Sequence, residues 1–186
     1  MILYVNACIR EDSRTDILAR HLLSKLGEYT EIKLSEENLA PLSNEMLKNR
    51  TDLIENGDYT NAMFRYAKQF SSADTVVIAA PYWDLSFPSL LKVYFENIYV
   101  TGIVSRYTSD GRPEGMCKAK SLYYVTTAGG PYNPDYSYGY IKELAKTCFG
   151  IENTELFAVG MLDIIGNEPE KIIADAKRKI DEHFSV

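Results

Sequence analysis

The stretch Asp74-Thr-Val-Val-Ile-Ala-Ala-Pro-Tyr-Trp-Asp-Leu-Ser-Phe-Pro-Ser-Leu-Leu-Lys narrows the folds open to this chain more than any other segment. Residues 75–80 form an unbroken apolar, β-branched run. That is the pattern of a strand covered on both faces, and such strands belong to parallel sheets. Pro81 has no N–H to donate and stops the ladder. Pro88 then stands where a helix opens, with Leu91, Tyr94, Phe95 and Ile98 at helical spacing behind it. In open α/β sheets the crevice at the carboxyl ends of the strands takes the ligand, so residues 82–86 are expected to line a site.

Strand and helix patterns alternate along the rest of the chain, as in βαβ units. Residues 2–5 read as the first strand and 29–34 as the second. Between them Ser13 opens a helix, with Asp16 three residues on, Leu18, Leu22 and Leu26 on one face, and Gly27 at its end. Residues 36–58 are polar and irregular, with a short helix near Met46. A helix carrying Met63, Phe64, Ala67 and Phe70 leads into the third strand. Residues 101–118 form an excursion with a Ser-Asp-Gly turn, read as a hairpin or flap outside the main sheet. Residues 121–126 and 154–159 supply the fourth and fifth strands. Pro169 begins a last helix with Ile173, Ala176, Ile180 and Phe184 toward the core. The expected architecture is a flavodoxin-like α/β three-layer sandwich. Its five-stranded parallel sheet has the order 2-1-3-4-5, with helices on both faces, within a single domain spanning 1–186.

A net charge of −6 argues against a nucleic-acid binder, whose affinity rests on basic surface. Cys8, Cys117 and Cys148 are widely spaced, with no C-x-x-C pair, which suits a reducing compartment and argues against a disulfide or thiolate-zinc framework. His21 and His183 fall within helical patterns and make no metal-ligand spacing, so no metal is expected. The chain opens on a strand pattern with no signal-peptide signature, and no apolar run reaches the length of a membrane span. A cytoplasmic protein is expected.

Three strand-to-helix turns converge in a 2-1-3-4-5 sheet. After the first strand, Ser13, Arg14, Thr15 and the free N–H groups of the helix suit a phosphate; helix capping by Ser13 is the simpler explanation. After the third, Tyr82-Trp-Asp-Leu-Ser-Phe sets aromatics beside polar groups, fitting either an aromatic cofactor or a buried structural tryptophan. After the fourth, Gly129-Gly130 permits close backbone approach to a planar ligand, or meets a turn's need for positive φ. The tyrosine-rich loop that follows is read as a pocket roof, a subunit contact or a merely exposed loop.

Val76-Val-Ile-Ala-Ala-Pro-Tyr-Trp-Asp-Leu-Ser-Phe-Pro-Ser-Leu-Leu-Lys-Val-Tyr-Phe resembles the flavin-binding segment of the FMN-dependent NADH azoreductase and quinone reductase family. Ser105-Arg-Tyr-Thr, Pro113-Glu-Gly and Thr126-Thr-Ala-Gly-Gly continue the resemblance. It implies FMN as cofactor, with NADH or NADPH as cosubstrate. It implies that Cys8, Ser13, Arg14 and Thr15 hold the phosphate. The turn of Pro81, Tyr82, Trp83, Asp84 and Leu85 would hold the isoalloxazine, with Thr127, Ala128, Gly129 and Gly130 as a second flavin contact. It also implies a homodimer. Tyr107 and Tyr132 are weaker candidates for the substrate pocket.

Two positions depart from the family pattern. Cys8 stands where serine is usual, and a thiol donates poorly to phosphate, a loss that Arg14 offsets with charge. Asp84 stands where asparagine is common, and its negative charge beside a reduced flavin lowers the reduction potential.

The function expected is transfer of hydride from NAD(P)H, through the flavin N5, to small acceptors such as quinones, azo or nitro compounds. The flavin carries the redox chemistry, so no catalytic side chain is required. The rival expectation is a flavodoxin-like electron carrier or flavin-binding protein that turns over no small substrate.

Overall fold

The computed structural model describes residues 1–185. Five strands make one parallel sheet: β1 (Ile2–Asn6), β2 (Tyr29–Lys33), β3 (Thr75–Ala79), β6 (Ser121–Thr127) and β7 (Asn153–Val159). Two short antiparallel strands, β4 (Ser105–Tyr107) and β5 (Pro113–Gly115), stand apart as a hairpin. The sheet order is β2-β1-β3-β6-β7. Without the hairpin this is the expected 2-1-3-4-5.

Alternation along each strand divides the core in two, because successive side chains leave a strand on opposite faces. Leu3, Val5, Val76, Ile78, Leu122 and Tyr124 point to one face. They meet Phe70 of α3 (Arg65–Ser72), Leu91, Tyr94, Phe95 and Ile98 of α4 (Ser89–Ile98), and Ile141 of α5 (Tyr138–Leu144). Tyr4, Val77, Ala79 and Val125 point to the other face. There they meet Leu18, Leu22 and Leu23 of α1 (Arg14–Leu26) and Ile180 of α6 (Pro169–His183). The helix patterns at Leu18/Leu22 and Leu91/Tyr94/Phe95/Ile98 thus bury the faces expected of them.

Several boundaries differ from the sequence reading. Leu34 leaves β2 to begin a short 3-10 turn, and Met63 and Phe64 lie in another 3-10 turn ahead of α3. α2 (Asn44–Glu55) is a full twelve-residue helix where a polar, irregular segment with a short helix was expected. It buries no residue completely, so its sequence carries little apolar periodicity. Ser43 caps it, accepting from the Met46 N–H at 3.1 Å. α5 widens into a π-type turn, Ala145–Phe149, that ends at Gly150 in the left-handed region.

The hairpin is fastened to that end. The Met116 N–H donates to the Val104 carbonyl at 2.8 Å, and the Cys117 N–H to the Phe149 carbonyl at 3.2 Å. Gly115 lies so close to the Phe149–Gly150 peptide that a Cβ would sit 2.0 Å from its backbone atoms. The flap is outside the main sheet, as expected, but its base is rigidly seated.

Candidate flavin cleft

The carboxyl ends of β1, β3, β6 and β7 open onto a cavity of about 290 Å³. It is lined by the turn after β1 (Ile9, Arg10, Asp12, Ser13, Arg14, Thr15) and the turn after β3 (Pro81, Tyr82, Trp83). Thr127, Ala128 and Gly129 after β6, and Leu162 and Asp163 after β7, complete it. A second cavity of about 330 Å³ adjoins through Ile9 and Trp83 and runs along Asp84, Ser86, Phe87, Pro88 and Ser89.

Ser13 does cap α1, with its Oγ accepting from the Asp16 N–H at 3.4 Å. The Asp16 carboxylate does not return the favour. It accepts from Tyr4 Oη at 2.5 Å, Asn6 Nδ2 at 3.1 Å and Arg20 Nε at 2.9 Å. The first intrahelical bond runs from the Ile17 N–H to the Ser13 carbonyl, leaving the Arg14 and Thr15 N–H groups with no intrahelical acceptor. Ser13, Arg14 and Thr15 line the cavity, which brings the positive end of the helix to it, with those two N–H groups lacking a partner among the described residues. The Thr15 hydroxyl is buried and shares a 2.7 Å hydrogen bond with the Thr127 hydroxyl, tying the first turn to the third.

Cys8 lies behind them. Its side chain is only 2% exposed, packs among the Leu18 and Leu22 core, and has its Sγ 3.9 Å from the Ala79 carbonyl. Burial pushes the thiol pKa up to about 12. β1 is buried on both faces, so alternation gave no hint of the direction this position takes. The thiol packs in the core behind the turn and does not line the cavity. The Cys8 N–H donates to Asn6 Oδ1 at 2.9 Å. Asn6 Nδ2 in turn donates to Asp16 and, at 2.9 Å, to Glu31. Arg20 bridges both carboxylates and reaches Tyr29 Oη at 3.0 Å. A saturated polar network thus holds the start of the turn.

Trp83 is 38% exposed and lines both cavities, so it is not a buried structural tryptophan. The turn that carries it is tight: the Trp83 N–H donates to the Ser86 carbonyl at 3.0 Å, and the Ser86 N–H to the Trp83 carbonyl at 2.8 Å. Asp84 and Leu85 between them both have positive φ, 49° and 67°. Hairpin turns of this mirror-image type favour asparagine and glycine there, and a leucine with φ near +60° costs roughly 1–2 kcal/mol. Leu85 is nonetheless 61% exposed, so no packing inside the chain repays that cost. Strain of this kind gathers where a ligand or a second chain uses it. Leu85→Gly is expected to stabilise the protein by about 1 kcal/mol in urea unfolding. An unchanged or lowered urea midpoint would show that the turn is not strained.

Gly129 and Gly130 do not have positive φ. The use of Gly129 is space, since a Cβ there would meet Asp163 Oδ2 at 2.3 Å. Tyr132 backs the site without lining it, its ring edge-on to Tyr82 with centroids 4.9 Å apart. The Tyr82 hydroxyl is buried and has no partner among the described residues. Tyr107 is exposed on the flap and contributes to neither cavity. The wall from β7, Leu162 and Asp163, was not foreseen. Its signal was an acidic residue between Gly160 and Gly166 directly after the fifth strand.

These features fit FMN. The α1 N-terminus and the arginines suit the phosphate, and the exposed Trp83 indole suits a flat ring. Among the described residues no group of His, Cys, Asp and Glu could hold a metal.

Comparison with known proteins agrees. FMN-dependent NADH:quinone oxidoreductases from Coprothermobacter proteolyticus and Lachnoclostridium phytofermentans are each 33% identical to this chain. They align over 97% and 96% of it, and over 96% and 94% of themselves. A solved FMN-dependent NADH-azoreductase from Bacillus anthracis, in complex with FMN, superposes with a TM-score of 0.78 at 22% identity. It covers 99% of this chain and 97% of that one. An azoreductase from another Bacillus anthracis strain reaches a TM-score of 0.83 at 23% identity, over 98% of this chain and 97% of its own. The family model described as the flavodoxin-like fold matches residues 1–184, and with this fold and these relatives the chain belongs to that family.

Proposed function

We propose that this protein is an FMN-dependent oxidoreductase that uses NADH or NADPH to reduce quinones, azo or nitro compounds. The observation that carries this reading is one cleft that unites the α1 N-terminus, the exposed Trp83 turn and Gly129. The relatives named as FMN-dependent NADH:quinone oxidoreductases support it across nearly the whole chain.

When bound, FMN would supply the hydride-transfer chemistry. The chain's residues bind and orient. Arg14 and the Arg14 and Thr15 N–H groups hold the phosphate end, and Ser13 fixes the helix start that presents them. Pro81, Tyr82, Trp83 and Asp84 would hold the ring together with Thr127, Ala128 and Gly129, while Leu85 and Gly130 flank those residues in sequence and line neither cavity. The Thr15–Thr127 hydroxyl pair ties the first turn to the third. Asp84 lines the adjoining cavity, and its carboxylate would disfavour gain of negative charge on a flavin held beside it, lowering the potential.

The chain is read as one domain that pairs as a homodimer. The Ser86 hydroxyl donates to the Tyr136 carbonyl at 3.0 Å, bringing together two loops whose exposed Leu85 and Tyr136 offer apolar surface beside the cleft. Among the described residues no helix is long and apolar enough to cross a membrane. Three unpaired cysteines suit a reducing cytoplasm.

The test is anaerobic mixing of FMN-loaded protein with NADH, and separately NADPH, in a stopped-flow. Rapid loss of the flavin's visible absorbance, restored by a quinone, is the expected result. Flavin that stays oxidised with both nucleotides would overturn the reductase reading in favour of an electron carrier.

A further inference from the structure

The cleft carries a charge pattern that phosphate binding alone does not explain. Its lining includes two guanidinium groups, Arg10 and Arg14, and two carboxylates, Asp12 and Asp163. A phosphomonoester is favoured by cations and helix N–H groups, and repelled by carboxylates. Asp12 shares its turn with the arginines. Asp163 comes from another loop, 149 residues beyond Arg14, yet its Oδ1 accepts from Arg14 Nη1 at 2.7 Å.

The backbone fixes Asp163 in that place. Its N–H donates to the Gly129 carbonyl at 2.8 Å, while the Met161 and Leu162 N–H groups donate to the Gly130 and Ala128 carbonyls at 2.8 and 3.2 Å. Met161 takes a φ of 66° to allow this, and Asn167 Nδ2 donates to its carbonyl at 2.7 Å. Absence of a side chain at Gly129 leaves the room that the Asp163 carboxylate fills. A carboxylate offers a guanidinium the same oxygen acceptors as a phosphate does. Arg14 is therefore engaged by a phosphate mimic supplied by its own chain.

We propose that Asp163 is a built-in competitor for Arg14, which a dianionic phosphomonoester displaces as it binds. Asp163 thereby lowers the affinity for FMN through its phosphate alone and keeps the cofactor exchangeable. This rests on the flavin reading of the cleft. Both partners are well exposed, 42% and 67% by side chain, so the pair is weak enough to exchange.

The experiment measures dissociation constants of FMN and riboflavin, by quenching of flavin fluorescence, for the wild type, Asp163→Asn, Arg14→Gln and the double variant. Riboflavin keeps the ring and lacks the phosphate. Asp163→Asn is expected to tighten FMN roughly 3- to 10-fold and leave riboflavin unchanged. In the Arg14→Gln background that gain shrinks to about twofold or less, because the competitor acts through Arg14. Asp163→Ser repeats the result with a different side chain, and ligand-free melting temperatures verify that each variant folds. Equal effects on both flavins, or no effect of Asp163→Asn on FMN, would overturn the proposal while leaving the flavin site standing. Failure of every variant to bind either flavin would overturn both.

Discussion

Asn6→Leu is expected to destabilise the protein by about 3 kcal/mol and to weaken FMN binding at least several-fold. The substitution nearly conserves volume, so cavity formation contributes little. What it removes is a hub: Asn6 is 1% exposed, accepts from the Cys8 N–H, and donates to Asp16 and Glu31. A buried N–H left without an acceptor costs about 1–3 kcal/mol, and each of the two carboxylates loses a charge-assisted donor. Arg20 still bridges Asp16 and Glu31, so the strand survives while the turn after it loosens. Asn6→Asp separates the causes, because it keeps an acceptor for Cys8 but sets a third carboxylate beside two others. Urea unfolding and FMN titration of both variants make the check. A loss below about 1 kcal/mol for Asn6→Leu would show that the network does not hold the phosphate turn.

The second large effect is expected at the flap. Gly115→Ala introduces a Cβ that would lie 2.0 Å from both the Gly150 nitrogen and the Phe149 carbonyl carbon. These are backbone atoms at the end of a helix and cannot swing aside as a side chain would. Overpacking against backbone is expected to cost roughly 3 kcal/mol or to lift the hairpin off the domain. Gly150→Ala acts differently: its contact with the Gly115 carbonyl oxygen is a milder 3.1 Å, and its chief cost is the φ of 74°. About 1–2 kcal/mol is expected there. Urea midpoints that rank Gly115→Ala below Gly150→Ala support the seated flap; a wild-type midpoint for Gly115→Ala would mean that the hairpin rides free of the sheet.

What was legible in the sequence was what repeats. β3 is a continuous apolar run and α4 a clean helical stripe, and each reflects burial against many neighbours. The order of the sheet and the convergence of three turns then follow from topology. Less legible were features decided by single contacts. Cys8 gave no sign of pointing into the core, because both faces of β1 are covered. α2 was read as largely irregular because a helix that buries no residue completely needs little apolar pattern. Tyr107 belongs to a matching motif, yet it lines neither cavity of the cleft. Asp163 follows the same rule that placed the other turns, applied to the carboxyl end of one more strand. Gly129 reads in the sequence as room for a planar ligand or as a turn glycine; its φ is not positive, and Asp163 lies in the space that its missing side chain leaves.

The cleft draws its walls from residues as far apart as Ile9 and Asp163, carried by four different strands. None of the intervening segments can build any two walls alone, and the last wall arrives only when β7 docks against β6. A flavin therefore recognises the finished sheet and has little to grip on a partly folded chain. Its stabilisation falls on the native state, so cofactor capture slows unfolding rather than hastening folding. The chain must reach its fold on its own core, and a flavin bound there would add stability only after assembly.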